Sequence, residues 1–330
     1  MKLLTVTWSA DWRHFELLRH SLGLSRLADV PHEVVVQTED LNQFREFAQG
    51  SVQLRSSADV LPPAVETRRL EARHWQARLG RRSTIIAGSL ARRIGWPDWV
   101  RYTGWHTQQL CKLAAVAASD EETVVVLDSD LIASPWACPS DFAPSNGSDT
   151  LCYQRWVPDN KLMTKNANWQ RSAHRLLDLP MPSHGPFDVY YDTPFIMHPG
   201  AVRELFDWLE STYHCPWWQA LLSQPPRQWS EFGTYRLFLR HRYGGQVEWR
   251  NDDLVAYLYD ASDVKSLVSR FRQLLLEQDC HYITIHSQSS GRHSWTPEDY
   301  HIAIKQCLEL IRAKPSPSHL QEGEPMLSPG

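Results

Sequence analysis

No run of eighteen apolar residues occurs anywhere in the chain, so no transmembrane helix is expected. There is no CxxC pair either. Cys111, Cys138, Cys152, Cys215, Cys280 and Cys307 are scattered, which argues against a zinc knuckle or disulfide framework and suits reduced thiols. Four signatures of nucleotide and hydrolase chemistry are missing: the phosphate loop G-x-x-x-x-G-K-[ST], the dinucleotide fingerprint G-x-G-x-x-G, the H-E-x-x-H metal helix and the G-x-S-x-G elbow. Lysine is scarce, with seven against twenty-seven arginines. The net charge of −4 offers no basic excess, so no nucleic-acid partner is expected. These absences leave a cytoplasmic enzyme as the starting expectation.

With 42% apolar and 22% charged residues, the chain can bury a sizeable core. Its 330 residues allow two domains or one large α/β domain. Fifteen tryptophans are many, and their faces suit both cores and sugar rings. The opening MKLLTVTWSADWRHFELL turns polar too early for a signal peptide and reads as a strand (3–7) entering a helix (12–27). A second strand at 32–37 completes a βαβ start.

Residues 105–118 predict a helix, and 123–127 a central parallel strand, apolar on both faces. Further strands are expected at 151–156, at 189–197 around Asp192, near 247–249 and at 282–286. Helices are expected at 200–211, opened by Pro199, and at 231–241, 263–277 and 297–312. The fold class is therefore α/β: one domain (1–312) with a mostly parallel central sheet, flanking helices and helical insertions. Its halves are a nucleotide-binding part, about 1–135, and an acceptor-binding part, about 136–312. Residues 313–330, rich in proline, read as a disordered tail. Eight arginines between 68 and 93 read as a helix that is a solvated face, a lid, or a patch for anionic lipid or phosphate.

The segment with most chemistry is Val124-Val125-Val126-Leu127-Asp128-Ser129-Asp130. Ligands bind at the carboxyl edge of a parallel sheet. Two carboxylates one residue apart there can converge on Mg²⁺ or Mn²⁺, whose charge would offset that of a departing diphosphate. On the preceding helix Gln108 and Lys112 are four apart and share a face, so the lysine can meet a phosphate and the glutamine a base or ribose edge. The competing reading is an ordinary exposed pair on an amphipathic helix.

The order of these blocks (Thr5, Thr7 and Asp11 on the first strand, then QTEDL, GWHTQQLCKLAA and VVVLDSD) resembles nucleotide-sugar-dependent glycosyltransferases of the GT-A fold. It is closest to a poorly characterised bacterial set with a G-W-x-x-Q-Q-x-x-K-L helix, an L-D-[SA]-D strand end and a later S-E-[FY]-x-x-Y segment. The resemblance covers about 1–290. It implies that Thr5, Thr7 and Asp11 hold the base and ribose, that Asp128 and Asp130 hold the metal and diphosphate, and that His286 adds a metal ligand. Imidazole with two carboxylates is a reasonable Mn²⁺ set. The run from His286 to Gly291, including Ser287, offers hydroxyls and backbone N–H groups for phosphate oxygens.

On the acceptor side, Ser230 suits a helix cap and Glu231 the first turn behind it. Glu231 is the first candidate for the base that deprotonates an acceptor hydroxyl. Asp192, among Tyr190, Tyr191, Thr193 and Phe195, is the second, either as base or as a ligand of sugar hydroxyls, and Asp188 is a third. Two strong carboxylate candidates favour inversion, which needs a base in line behind the acceptor oxygen. Trp156, Trp169, Trp217, Trp218 and Trp229 are available as stacking platforms.

The expected activity is metal-dependent transfer from a nucleotide diphosphate sugar to a glycan or lipid-linked acceptor, in bacterial cell-surface polysaccharide or lipopolysaccharide synthesis. Peripheral contact with the inner membrane through residues 68–93 would fit such an acceptor. Two other readings use the same acidic pair: a metal-dependent nucleotidyltransferase or phosphohydrolase, and a non-catalytic carbohydrate-binding or assembly protein.

Overall fold

The computed structural model describes residues 1–80, 99–102, 104–145, 147–148, 150–258, 263–285 and 296–313, with residues 83, 86, 87 and 90. In chain order the strands are β1 (Lys2–Thr7), β2 (His32–Val36), β3 (Val52–Ser56), β4 (Val124–Val126), β5 (Leu131–Ala133), β6 (Thr150–Gln154), β7 (Trp156–Val157), β8 (Phe187–Asp188), β9 (Phe195–Met197), β10 (Val247–Asn251), β11 (Val255–Tyr257) and β12 (Tyr282–Thr284).

The central sheet runs β3-β2-β1-β4-β9. It is parallel from β3 to β4 and antiparallel at β9, so the architecture is α/β with a mostly parallel sheet flanked by helices. Leu3, Leu4, Val34 to Val36 and Val124 to Val126 are buried, as strands covered on both faces require. Helix Trp12–Gly23 sends Phe15, Leu18 and Leu22 into the core. Helix Trp105–Ala117 lies against β1 and beside helix Pro199–Tyr213, with Leu110, Leu113 and Val116 inward. A smaller apolar cluster (Leu267, Phe271, Ile283, Ile304, Cys307) joins helices Val264–Leu274 and Pro297–Arg312 to β5 and β12. All six cysteines are free thiols. Among the described residues no helix is long and apolar enough to cross a membrane.

Several sequence expectations need correction. β3 was not anticipated, because an edge strand reading Val-Gln-Leu-Arg-Ser has no apolar run to announce it. The 151–156 strand pairs with β10, outside the central sheet. The 189–197 strand shrinks to β9, since Pro194 cannot donate to a ladder, and Asp192 lies in the preceding loop. Helix Thr164–Leu176 was not anticipated. In the arginine-rich stretch one helix spans Pro63–Leu79 and ends at Gly80, whose φ of +75° suits glycine; Arg81, Arg82, Arg92 and Arg93 lie outside the described residues. Residues 314–330 of the expected tail lie outside the described residues.

Candidate active site

Strand order reverses direction between β1 and β4, with β2 and β3 on one side and β9 on the other. The crevice outside the carboxyl ends of β1 and β4 is where such sheets bind ligands. Thr7 ends β1, Asp11 closes the 3-10 turn Ser9–Asp11 that follows, and Asp128 stands two residues beyond β4. The antiparallel register of β9 carries the acceptor-side loop to the same place. The Asp128 N–H donates to Thr193 Oγ1 at 3.2 Å, so Asp192 adjoins the acidic pair. Half-buried Asp130 accepts, through its carbonyl, from the Ile285 N–H at 3.0 Å. His286 and Ser287 follow Ile285 in sequence and lie outside the described residues, with the rest of the 286–291 run.

At the centre is Lys112, which is neither an exposed helix-face residue nor open to a phosphate but buried between two carboxylates. Its Nζ is 2.7 Å from Asp128 Oδ1, 3.2 Å from Glu231 Oε1 and 4.6 Å from the Phe232 ring centroid. Phe232 stacks on Phe195 at 3.9 Å, closing the apolar side of the lysine. Side-chain exposure is 3% for Lys112 and 2% for Glu231 but 32% for Asp128, so only the aspartate opens toward a ligand. Burial pulls the Lys112 ammonium down, and Asp128 and Glu231 outweigh it, holding the pKa above its ordinary value. Burial raises the Glu231 carboxyl, with Lys112 opposing and Asp128 adding to the rise. Asp11 is raised by burial and by the charge of Asp128, while its bond from Trp8 Nε1–H, at 2.7 Å, works the other way.

Gln108 does share the Lys112 face, and its Nε2–H donates to the Val6 carbonyl at 3.1 Å, pinning the helix to β1. Thr5 is fully buried. Arg19 Nη1 donates to His32 Nδ1 at 2.8 Å, which leaves the proton on Nε2 to donate to Thr5 Oγ1 at 2.9 Å. Burial, then Arg19, holds His32 well below its ordinary pKa, consistent with that neutral tautomer. Thr7 Oγ1 is buried with no hydrogen-bond partner among the described residues, an orphaned hydroxyl at the edge itself.

Ser230 caps helix Glu231–Arg242, accepting from the Gly233 N–H at 3.3 Å. A Cβ on Gly233 would lie 2.8 Å from Tyr191 Cε1, so the glycine lets the loop before β9 pack close to this helix. Asp192 pairs with Arg155 Nη1 at 2.8 Å, and the two side chains are 31% and 30% exposed. Arg155 also donates to Asp252 and the Tyr257 hydroxyl, joining the loop to β10 and β11. Asp188, by contrast, accepts from Arg236, from Arg240 Nη2 at 2.9 Å and from the Arg155 N–H at 3.0 Å.

Sequence reasoning missed three residues here. Lys165 lies 4.3 Å over the Trp169 ring; burial lowers its pKa, and Asp192 and Glu231 counter that from one neighbourhood. Arg155 orients Asp192. Trp8, 47% exposed just past β1, is an aromatic face at the ligand edge, and its position was the signal available. Of the five proposed platforms, Trp169, Trp217 and Trp229 are core, Trp218 is half-buried, and Trp156 is exposed beneath Arg240.

No curated protein matches the sequence. Among solved structures, the chain is similar to the galactosyltransferase LgtC in complex with donor and acceptor sugar analogues, at 9% identity over 95% of this chain and 96% of that one, with a TM-score of 0.48. It is similar to the bifunctional glycosyltransferase WbbM at 11% identity and a TM-score of 0.45, over 97% of this chain and 51% of WbbM, about half its length. For mouse xyloside xylosyltransferase 1 the values are 9% identity and 0.42, over 87% of this chain and 98% of that one. A family model matches residues 7–256, a span that takes in Thr7, Asp11, Gln108, Lys112, Asp128, Asp130, Asp192 and Glu231 but not Thr5, His286 or Ser287. The chain therefore belongs to the family described as being of unknown function, DUF6492.

Proposed function

We propose that this protein transfers a sugar from a nucleoside diphosphate donor to a glycan or lipid-linked acceptor, with the donor in the crevice beyond β1 and β4. The observation that carries this reading is the shortage of positive charge there. Among the described residues Lys112 is the one cation in ion-pair contact with Asp128 and Glu231, with Lys165 further off, while Asp11 has a neutral indole as partner and is raised by burial and by the Asp128 charge. Hard carboxylate oxygens in surplus at an open edge fit Mn²⁺ or Mg²⁺, and Asp128 and Asp130 are the residues that would hold the ion. Once bound, such an ion neutralises charge on the departing diphosphate.

In this reading Lys112 fixes the direction of Asp128. Gln108 holds the Lys112 helix in register, and Thr7 and Asp11 face the nucleoside, with Thr5 bracing β1 from beneath through His32. Asp192 is the group that meets the acceptor hydroxyl and takes its proton, because a base needs direct reach and Asp192 is open where Glu231 is sealed. Glu231 sets the charge balance around Lys112. The resemblance of the GWHTQQLCKL, VVVLDSD and SEFGTY blocks to nucleotide-sugar enzymes supports the same assignment. His286 and Ser287 remain proposed as a further metal ligand and a phosphate contact.

The proposed setting is cell-surface polysaccharide or lipopolysaccharide assembly on the cytoplasmic side of the inner membrane. Helix Pro63–Leu79 lends less to membrane contact than its composition promised. Arg68 pairs with Glu71, Arg69 with Glu66 and Glu39, and Arg73 with Glu39.

The test is a thermal-shift screen of UDP-, GDP-, CMP- and dTDP-sugars with and without Mn²⁺. One nucleoside diphosphate sugar should raise Tm, more so with Mn²⁺, and Asp128→Asn should lose that increment. A response to no donor, or one indifferent to metal and to Asp128→Asn, rejects the reading. Release of inorganic phosphate or diphosphate instead of a nucleoside diphosphate would favour the hydrolase or nucleotidyltransferase.

A further inference from the structure

A second group of ligating side chains lies away from this edge. β5 and β12 pair antiparallel, Leu131 opposite Thr284 and Ala133 opposite Tyr282. Asp130 and Ile285 meet at one end of that ladder. At the other end, His281 enters β12 and faces the turn Pro139–Phe142, which carries Cys138 at its cap and Asp141 within it. One ligand atom from each of Cys138, Asp141 and His281 lies within 4.8 Å of the other two.

We infer that Cys138, Asp141 and His281 form a metal site separate from the Asp128 edge, one that takes a borderline transition cation such as Zn²⁺. Cys138 Sγ is 3.3 Å from Asp141 Oδ1, and His281 Nδ1 is 2.9 Å from the same oxygen. With Zn–S near 2.3 Å and Zn–N or Zn–O near 2.0 Å, a tetrahedral ion sets its ligands about 3.3–3.6 Å apart. Two of the three donor pairs are thus already near that spacing and the third lies within 4.8 Å, leaving water as the fourth ligand.

The surroundings orient them. Tyr282 Oη–H donates to Asp141 Oδ2 at 2.7 Å and the Cys138 N–H donates to it at 2.9 Å, which leaves Oδ1 for the sulfur, while His281 Nδ1 lies across both oxygens, 2.9 Å from Oδ1 and 3.0 Å from Oδ2. Oriented carboxylates of this kind are what supporting groups around a metal provide. A capping aspartate needs only the backbone donor; the cysteine on its other oxygen and the histidine across both are extra. A thiolate and a carboxylate cancel a dication, so the loaded site is neutral, as a mostly buried position requires. Binding through Nδ1 moves the imidazole proton to Nε2 and expels the thiol proton, releasing one proton per ion. The thiolate disfavours Mg²⁺ and Mn²⁺, so this site and the carboxylate edge select different metals. The ion would tie the 138–141 turn to the strand whose far end braces Asp130.

The experiment uses the full chain, stripped with chelator and titrated with Co²⁺ as a coloured substitute. One equivalent should produce a thiolate-to-cobalt charge-transfer band that is absent in Cys138→Ser and His281→Gln and retained in Asp128→Asn. In the unmutated protein, Zn²⁺ should slow alkylation of Cys138 by iodoacetamide at least about tenfold, as expected when thiolate nucleophilicity is masked. Cys215, also half-buried, serves as the control and should be unaffected. No thiolate band in the unmutated chain, an equal band in Cys138→Ser, or alkylation indifferent to Zn²⁺ would each overturn the assignment.

Discussion

Two charge clusters, one at Asp188 and one at Lys112, are balanced in opposite senses. Asp188 has two guanidinium groups, from Arg236 and Arg240, and two backbone N–H donors, from Arg155 and Tyr190. Arg240 is further held on the Trp249 face at 3.9 Å. That carboxylate is saturated. At the sheet edge one ammonium, Lys112, serves two carboxylates, with Asp11 close enough to feel the charge of Asp128. The first cluster is complete as it stands; the second, in the proposed function, is completed by a cation. Charge balance, more than burial, separates a fold-holding cluster from one prepared for a ligand.

The sharpest way to break that comparison is to neutralise one carboxylate in each. Asp128→Asn should lower sugar transfer roughly a thousandfold, as loss of about 4 kcal/mol of electrostatic stabilisation implies, while stability stays within about 1 kcal/mol. Asp188→Asn should behave in reverse. It leaves the buried Arg236 and the half-buried Arg240 short of their counterion and should cost about 3 kcal/mol in urea unfolding, with donor affinity retained in the folded fraction. Equal destabilisation by both would erase the distinction.

Much of the edge was legible before the fold was seen, for local reasons. Three valines ending at Asp128 mark a buried strand and its carboxyl end. The i, i+4 spacing of Gln108 and Lys112 sets a shared face, and Ser230 three residues before Gly233 marks a cap. What was hidden depends on partners distant in sequence. Arg155 reaches Asp252, 97 residues away, and nothing near Arg155 announces it. Lys165 was missed because the helix Thr-Lys-Asn-Ala-Asn-Trp-Gln-Arg-Ser-Ala-His-Arg-Leu presents a thin apolar stripe, Trp169, Ala173 and Leu176, inside a polar sequence. Alternation along β1 puts Thr5 and Thr7 on one face, yet the bond from His32 that occupies Thr5 comes from the neighbouring strand.

A third response to burial is to shed charge, and the helix that carries Lys112 also shows it. His106 is 3% exposed, and burial, with Arg101 and Arg227 nearby, lowers its pKa from 6.5 to about 4. Its Nε2 accepts from the Arg227 N–H at 3.1 Å, so the neutral ring is built in. A depressed folded pKa gives stability that is full above the unfolded value and lost as pH falls through the folded one. Roughly 3 kcal/mol should therefore disappear between pH 6.5 and 4, and His106→Gln should flatten that part of the urea-midpoint profile.

The division of labour between the two acceptor-side carboxylates gives a smaller effect. Asp192→Asn should lower kcat about a hundredfold with donor affinity unchanged, the low end of what a lost general base costs. Glu231→Gln should lower it less. A larger loss in Glu231→Gln, with donor binding intact, would transfer the base role to Glu231.

The smallest expected effect bears most directly on whether the edge lacks a cation or has simply shed a charge, as His106 has. Glu231 has its pKa raised from 4.5 by burial, against the pull of Lys112. A raised folded pKa gives stability that is present below the unfolded value and lost as pH rises through the folded one. Glu231→Gln keeps the shape without the ionisation, so its stability relative to the unmutated chain should improve as pH climbs above 4.5. Saturating Mn²⁺ should shrink that improvement, because the added cation makes the ionised edge tolerable. If Mn²⁺ leaves the difference between the two chains untouched at every pH, the carboxylates at the edge are balanced by protonation alone, and the contrast with Asp188 is one of proton occupancy instead of readiness for a metal.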